Sequence, residues 1–239
     1  MSPSEKNKFI SNWIKSYVDQ MPVKAQSLVI GISGGIDSSV SSTLSAMTGI
    51  KTIVLTMPIR QKNNQHDLSL KHQGWLIKNF KNVEAHTINL DKLFESFSST
   101  LEKFDNEHGY ANSRARLRMT TLYQVAAANK GIVVGTGNKV EDFGVGFYTK
   151  YGDGGVDISP IADCNKTEVW ELGKELGILK EIIDAPPTDG LWDDGRTDEG
   201  QLGFKYEDLE DAMKNPNSPH RQEYEKIRKQ NLHKMEPIP

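Results

Sequence analysis

Residues 28–38 read LVIGISGGIDS, an apolar strand that runs into a glycine turn and then into the start of a helix. This order directs free backbone N–H groups and the positive end of a helix towards an anion. Gly34 and Gly35 let the backbone turn tightly and approach a phosphate without a Cβ in the way. The stretch therefore predicts a phosphate-binding loop, to which serine hydroxyls add donors at Ser33, Ser38 and Ser39.

Asp37 is the unusual member of this loop, because a carboxylate beside phosphates repels them unless a cation lies between, and it therefore predicts Mg²⁺. The loop is not a Walker A motif, since Ile36-Asp37 follows the glycines where Lys and Ser or Thr are required. It is not the dinucleotide pattern either, since Ser33 replaces the second glycine. The remaining pattern, Ser-Gly-Gly-x-Asp-Ser, resembles the pyrophosphate loop of the ATP pyrophosphatases, which cleave ATP into AMP and pyrophosphate. The alternative is a βα turn without a ligand.

Length and composition restrict the class of protein. The chain has 239 residues, of which 36% are hydrophobic and 26% charged, enough for one α/β domain with a sizeable core. The net charge of −3 provides no basic surface for nucleic acid. A single cysteine, Cys164, excludes an internal disulfide and fits a cytoplasmic protein. The polar N-terminus and the lack of an apolar run of about 20 residues predict neither a signal peptide nor a membrane span.

Alternating strand-like and helix-like segments predict a doubly wound, mostly parallel α/β sheet with helices on both faces. We expect a single domain over residues 1–239 that begins with a helix at residues 4–20, where apolar side chains recur at helical spacing. Polar residues 59–67 form either a mobile lid over a nucleotide or a solvated loop. Residues 186–203 exceed an ordinary connection, which indicates a second lid or disorder.

A second glycine loop follows the apolar residues 132–134. In a doubly wound sheet, two such loops face each other across a switch point. Thr136 then reaches a nucleotide and Glu141 supplies a second metal carboxylate, although spacing alone leaves that role of Glu141 open. Lys166 opens a later helix, where the macrodipole disfavours a cation, so a negative partner is expected.

Three arginines at i, i+2 and i+4 of a long helix cannot share one face, so Arg114 and Arg118 lie together and Arg116 points elsewhere. A surface charge run, an anionic ligand and a subunit interface all remain open for them. Residues 147–157 mix aromatic, cationic, glycine and acidic residues, which is typical of a binding loop. The end of the chain, by contrast, has the character of a frayed tail.

Taken together, these segments resemble the ammonia-dependent NAD⁺ synthetases. The glycine loop alone indicates only the superfamily, whereas the run TKYGDGG at residues 149–155 indicates the family. The resemblance covers nearly the whole chain, and its most specific parts are residues 33–38, 135–138, 147–157, 187–188, 191–203 and 233–234.

The resemblance implies Mg²⁺ as cofactor, ATP as co-substrate, and nicotinic acid adenine dinucleotide (deamido-NAD⁺) as the acceptor of ammonia. Asp37 and Glu141 would bind the metal, and Asp153 and Lys166 are the catalytic candidates, Asp153 as the residue that receives ammonia. The implied ATP-binding residues are Gly31, Ile32, Ser33, Gly34, Gly35, Ile36, Asp37, Ser38, Thr136, Lys166 and Thr188. The implied deamido-NAD⁺ contacts are Arg116, Lys150, Asp157, His233 and Lys234.

The family further implies a homodimer with the dinucleotide near the subunit interface, and an acyl-adenylate intermediate. Glutamine-dependent relatives carry an additional N-terminal amidase domain with a nucleophilic cysteine, whereas here one short helix precedes the loop and Cys164 lies far downstream. We therefore expect free ammonia to be used, unless a separate amidase supplies it. The rival interpretations are another adenylating enzyme with the same loop, such as a tRNA thiolase or GMP synthetase, and a nucleotide sensor without turnover.

Overall fold

Four parallel strands form the sheet of the computed structural model, which describes residues 1–60, 63–188, 191 and 197–236, without the side chains of residues 63–65. The strand order within this described part is β3-β2-β1-β4. All three strand pairs are parallel. The strands are β1 (Ser27–Gly31), β2 (Lys51–Thr56), β3 (Val83–Thr87) and β4 (Gly131–Val133).

Helices connect and cover these strands. The α-helices are α1 (Pro3–Gln20), α2 (Ile36–Met47), α3 (Asn63–Asn79), α4 (Asp91–Thr100), α5 (Glu107–Ala128), α6 (Lys166–Glu175), α7 (Lys180–Ile183), α8 (Asp198–Leu202), α9 (Tyr206–Lys214) and α10 (Arg221–Met235). A 3₁₀ turn covers Glu102–Phe104, and a π-helix covers Lys139–Val145. Within the described residues, no helix combines the length and the apolar character needed to cross a bilayer.

Alternation along the strands divides the core between the two faces of the sheet, because successive strand side chains point to opposite sides. Leu28 and Ile30 belong to a cluster with apolar residues of α1, α2 and α6. Val29 and Leu55 belong to another cluster, with residues of α4 and α5. The predicted doubly wound α/β fold is confirmed.

The strand order reverses between β1 and β4, since β2 and β3 follow on one side of β1 and β4 lies on the other. In parallel α/β sheets, the crevice beyond the carboxyl ends of the strands at such a point is where ligands bind. The glycine loop after β1 and the loop after β4 open into this crevice, so the expectation that the two loops face each other is confirmed.

The element boundaries differ from expectation mainly at α3. This helix begins at Asn63, so its first turn occupies part of the polar stretch 59–67 that was expected to be a lid or a solvated loop. Two lids were predicted, at residues 59–67 and 186–203. Residues 61–62, 189–190 and 192–196 of these segments lie outside the described residues. The N-terminal helix expected over residues 4–20 begins one residue earlier, at Pro3.

His72 on α3 gives the fold a dependence on pH. It is completely buried, and its Nε2 lies 3.0 Å from Ser42 Oγ. Burial lowers the pKa of His72 to about 4. Between pH 6.5 and 4 the unfolded chain therefore takes up a proton that the folded chain does not, so stability falls as the pH falls through this window and is constant above it.

We expect the wild type to lose about 2 kcal/mol more unfolding free energy than His72→Gln between pH 7 and pH 5, since each pKa unit corresponds to about 1.4 kcal/mol. Urea unfolding of both proteins at each pH measures this difference. His86→Gln, at a half-exposed histidine of β3, is the control and should keep the wild-type slope. Parallel slopes for wild type and His72→Gln would contradict the prediction.

Candidate functional site

The loop between β1 and α2 has the geometry of an anion-binding loop. Gly34 has φ +90°, a left-handed conformation that glycine adopts without strain. The N-cap residue of α2 is Gly35, which has no side chain to cap the first turn of the helix. The N–H groups at the start of this helix therefore stay available to a ligand. The hydroxyls of Ser33 and Ser38 lie 3.0 Å apart and hold the loop closed.

Two predicted members of the loop turn away from the crevice. The Ser39 hydroxyl donates to the Gly35 carbonyl at 2.9 Å and is completely buried, so its prediction as a ligand donor is wrong. The Ile36 side chain packs into the apolar cluster on the α2 face of the sheet, which leaves only its backbone for a ligand. Ile36 and Ser39 are three residues apart and therefore share one face of α2, which the helix turns towards the core.

The crevice between the two loops forms a cavity, named the loop cavity. It is bordered by the carboxylates of Asp37, Glu141, Asp142 and Asp153. From the predicted ATP-binding set it is lined by Gly31, Ile32, Ser33, Asp37, Ser38, Thr136 and Thr188. Gly34, Gly35, Ile36 and Lys166 are not part of this lining and lie beside or behind it.

Lys166 joins the two carboxylates predicted to bind metal. Its Nζ lies 2.5 Å from Asp37 Oδ2 and 2.9 Å from Glu141 Oε1, and its side chain is only 2% exposed. Asn138 Nδ2 donates to Asp37 Oδ1 at 3.1 Å. Tyr206 Oη donates to Glu141 Oε1 at 2.6 Å. We name these five residues the cation cluster. The negative partner expected for Lys166 is thus a pair of the protein's own carboxylates.

Burial and pairing set the charges in the cation cluster. Burial alone acts to lower the pKa of Lys166, but Asp37 and Glu141 raise it above its usual value, so the ammonium stays charged. Burial, with the nearby Glu141 carboxylate, raises the pKa of Asp37. Burial also acts to raise the pKa of Glu141, but Lys166 and the Tyr206 hydrogen bond outweigh it and lower that pKa. One ammonium therefore serves two buried carboxylates, and Tyr206 gives Glu141 an additional hydrogen-bond donor.

The donor set of the cation cluster fits Mg²⁺. Asp37 and Glu141 already hold a cation, the Lys166 ammonium, at hydrogen-bond distance. In the part of the chain that the structure describes, no group of three or more His, Cys, Asp or Glu side chains is arranged to hold a metal. Two carboxylates without further side-chain ligands are typical of Mg²⁺ that is completed by water and substrate phosphates.

A second cavity, named the tail cavity, lies under α10. Four of the predicted dinucleotide contacts line it: Arg116, Lys150, His233 and Lys234. Lys234 Nζ donates to the Tyr148 carbonyl at 2.9 Å, and Lys150 Nζ donates to the His233 carbonyl at 3.3 Å. The end of α10 is therefore docked on the binding loop, and its character as a frayed tail in the sequence is wrong.

The fifth predicted contact, Asp157, is placed elsewhere. Its carboxylate accepts hydrogen bonds from Tyr123 Oη at 3.0 Å and from the Val133 backbone N–H at 2.7 Å. It does not belong to the lining of the loop cavity or the tail cavity. The structure thus ties Asp157 to β4 and α5, and its role towards a ligand stays a prediction.

The two cavities adjoin. Phe147, Asp153 and Leu191 line both of them. The Thr149 backbone N–H donates to Asp153 Oδ1 at 3.1 Å and orients that side chain. The Asp153 carboxylate thus lies where the loop cavity and the tail cavity adjoin.

Known proteins are similar to this chain in sequence and in fold. A family model described as NAD synthase matches residues 7–237. The chain belongs to the NAD synthase family. The NH(3)-dependent NAD(+) synthetase of Carboxydothermus hydrogenoformans is 38% identical over 211 residues, which cover 86% of this chain and 83% of that protein. The predicted family is thereby confirmed, and with it the enzyme class, a ligase.

Solved structures agree on the fold. A structure of NMN synthetase from Francisella tularensis matches with a TM-score of 0.92 at 33% identity, covering 100% of this chain and 98% of that one. An NH3-dependent NAD synthetase from Campylobacter jejuni matches with a TM-score of 0.80 at 24% identity, covering 100% of this chain and 99% of that one. The second likeness shows the fold alone.

Sequence reasoning missed four residues of this NAD synthase site: Asn138, Asp142, Asp198 and Tyr206. Asp142 approaches the chain closely at Gly137, where a Cβ would lie 1.9 Å from its Oδ2. Burial and the Glu141, Asp153 and Asp37 carboxylates raise the pKa of Asp142 well above its usual value. For Asp142 the signal was Gly137, since a glycine in a strand-end loop marks close approach. Asn138 and Asp198 lie in segments 135–138 and 191–203, which carried the resemblance without being given a role of their own. Nothing in the sequence marks Tyr206, which has the pattern of an ordinary helix start.

Proposed function

We propose that the protein joins ammonia to the nicotinate carboxyl group of deamido-NAD⁺, with cleavage of ATP to AMP and pyrophosphate, to give NAD⁺. A carboxylate oxygen attacks the α-phosphorus and pyrophosphate leaves, which produces an acyl-adenylate. Ammonia then attacks the acyl carbon, AMP leaves, and one proton is released from nitrogen. Adenylation is needed because oxide is not a viable leaving group from a carboxylate.

One observation carries this proposal: the loop cavity and the tail cavity meet at Asp153. In this proposal, the phosphates of ATP lie on the glycine loop and the nicotinate group lies in the tail cavity. The α-phosphorus and the nicotinate carboxylate then meet at the junction. Proximity of this kind can remove about 7–11 kcal/mol from the barrier to a reaction between two bound substrates.

Residues in and behind the loop cavity stabilise the negative charge that develops on the phosphoryl groups. The backbone N–H groups of the glycine loop and the start of α2 provide preorganised dipoles, and Lys166 provides a fixed positive charge. Asp37 and Glu141 would hold Mg²⁺, which neutralises phosphate charge when it is bound. Thr136 and Thr188 line the same cavity and are placed to bind the nucleotide.

Asp153 is proposed to bind ammonium at the junction and to take its proton, because only neutral ammonia is a nucleophile. Asp153→Asn should therefore form the acyl-adenylate at close to the wild-type rate but amidate it roughly 10²-fold more slowly, the lower range for loss of a general base. Quenched-flow measurement of pyrophosphate and NAD⁺ separates the two steps. Unchanged ammonia kinetics in the variant would remove Asp153 from the mechanism.

Water must be kept from the acyl-adenylate. Thr188, Leu191 and Asp198, from the segment 186–203, border the loop cavity, which supports our proposal that this segment acts as a lid. We also propose a homodimer, since Tyr123 on α5 and Tyr151 in the binding loop are both exposed and line the same surface depression. We propose a single catalytic domain over residues 1–239 and a cytoplasmic location.

A second candidate function follows from the Francisella tularensis structure, which is described as an NMN synthetase. Its match to this protein extends over nearly the full length of both chains. On this alternative, the acceptor is nicotinic acid mononucleotide and the product is NMN. The chemistry at the junction is the same, because both acceptors present a nicotinate carboxylate. The difference lies in whether the adenylate half of a dinucleotide contributes to binding.

A single assay tests both candidates. The purified protein is incubated with ATP, Mg²⁺ and ammonium chloride and with either acceptor, and AMP, pyrophosphate, NAD⁺ and NMN are quantified by mass spectrometry. The main proposal predicts equal amounts of NAD⁺, AMP and pyrophosphate, and a higher kcat/KM for the dinucleotide. A higher kcat/KM for the mononucleotide would establish the second candidate instead. ATP binding without AMP formation would contradict both and indicate a nucleotide sensor.

A further inference from the structure

The hydroxyl of Tyr206 is a buried polar group that lies within the site but has no role in the chemistry proposed above. Tyr206 is completely buried, and the Lys166 ammonium lies 4.9 Å from its ring centre. Its Oη donates to Glu141 Oε1 at 2.6 Å and lies 3.4 Å from Asp198 Oδ2. The hydroxyl thus connects a cavity carboxylate of the π-helix with one from α8.

The backbone and the carboxylate of Glu141 are held by different contacts. It lies in a π-helix, a wider turn that is rare and occurs mostly as a local distortion at functional sites. Asn138 caps this turn through hydrogen bonds to the Val140 and Glu141 backbone N–H groups. These bonds fix the backbone at Glu141, whereas its carboxylate oxygen Oε1 is fixed by Lys166 and Tyr206.

Helix α9 also anchors the other side of the cation cluster. Glu210, one helical turn after Tyr206, accepts hydrogen bonds from the Thr167 backbone N–H at 2.9 Å and from the Thr167 hydroxyl at 2.7 Å. Thr167 follows Lys166 at the start of α6. Residues at i and i+4 lie on one face of a helix, so a single face of α9 contacts both the π-helix and α6.

We propose that α9 sets the geometry of the cation cluster and that Tyr206 is the positioning residue for Glu141. This inference rests on the proposed function, in which Asp37 and Glu141 hold Mg²⁺. Hydrogen bonds to a metal-binding carboxylate orient it, and removal of such a partner typically costs about 10- to 100-fold in metal affinity or activity. Tyr206→Phe removes one oxygen and keeps the ring that packs on Trp170.

The test is direct binding of Mn²⁺, followed by electron paramagnetic resonance, to the protein with α,β-methylene ATP, which is not cleaved. We expect the Mn²⁺ dissociation constant of Tyr206→Phe to rise at least about 10-fold over wild type. In turnover assays, the Mg²⁺ concentration for half-maximal rate should rise by a similar factor, while kcat at saturating Mg²⁺ stays within a few-fold of wild type.

Tyr224→Phe is the matched control, since Tyr224 is a buried tyrosine of the same apolar cluster that packs on Arg221 rather than on the site carboxylates. It should leave Mn²⁺ binding unchanged. Equal Mn²⁺ affinity for wild type and Tyr206→Phe, with Glu141→Gln weakened, would overturn the positioning role alone. Equal affinity for all three would overturn the metal assignment as well. A lower melting temperature with an unchanged metal titration would show a structural role only and would also overturn the proposal.

Discussion

Glu141→Gln and Asp37→Asn should each reduce pyrophosphate release from ATP on the order of 10³-fold, at the upper end of what the loss of one preorganised electrostatic group costs. Each change removes one of the two carboxylates that hold a cation in the loop cavity. The remaining carboxylate still pairs with Lys166, so both variants should fold. The loss is expected in the adenylation step, where negative charge develops on the phosphoryl groups.

Pyrophosphate release in a single turnover, with deamido-NAD⁺ present and ammonia left out, measures this step alone. Glu168→Gln is the matched control, since Glu168 is a carboxylate of α6 that pairs with Lys6 outside both cavities. It should keep the wild-type rate of pyrophosphate release. Substantial pyrophosphate release by Glu141→Gln or Asp37→Asn would exclude that residue from the proposed metal site.

Lys166→Met should affect stability and activity together. The substitution keeps the length of the side chain but leaves two buried carboxylates without their shared ammonium. Removal of one partner from a buried ion pair costs about 3–5 kcal/mol of unfolding free energy, because the charge that remains is uncompensated. The rate of pyrophosphate release should also fall by about 10²–10³-fold, since the site loses a fixed positive charge.

Added Mg²⁺ separates these two effects. If Asp37 and Glu141 hold the ion, Mg²⁺ should raise the melting temperature of Lys166→Met more than that of wild type, because in the variant it supplies the missing positive charge. Lys174→Met is the control: it makes the same change on the same helix, where the lysine is exposed and pairs with Glu171 on the surface. It should change stability little. Equal melting temperatures for Lys166→Met and Lys174→Met would contradict the central role of the buried lysine.

The fold could be predicted because its signals are local. A strand, a glycine pair and a helix start in residues 28–38 specify one βα unit, and the alternation of similar units specifies a parallel sheet. The separation of Arg116 from Arg114 and Arg118 also followed from helix geometry alone. In the structure, Arg116 Nε donates to the Lys150 carbonyl, whereas Arg114 packs on Phe94.

Two expectations were wrong because local composition did not reveal the structure: the start of α3 and the end of the chain. Polar residues at the start of α3 suggested a loop, although a polar first turn is common in a surface helix. Residues 233–234 suggested a frayed tail because they lie at the end of the chain, where the last residues of a domain are usually poorly ordered. Contacts far along the chain decide otherwise: the Asn231 side chain donates to the Val145 carbonyl at 3.0 Å and docks α10 on the π-helix.

The sequence by itself determined the glycine turn between β1 and α2, the parallel α/β class, the family and several of the cavity-lining residues, because each depends on neighbours in the chain or on a motif. Only the tertiary structure decided how the cation cluster is assembled. Lys166 meets Asp37 across 129 positions of sequence, and Tyr206 meets Glu141 across 65. Such contacts are set by the packing of α6 and α9 against the sheet and the π-helix, and no local propensity encodes them. The loop thus predicts a phosphate site, whereas the packing of distant helices decides which charges surround that site.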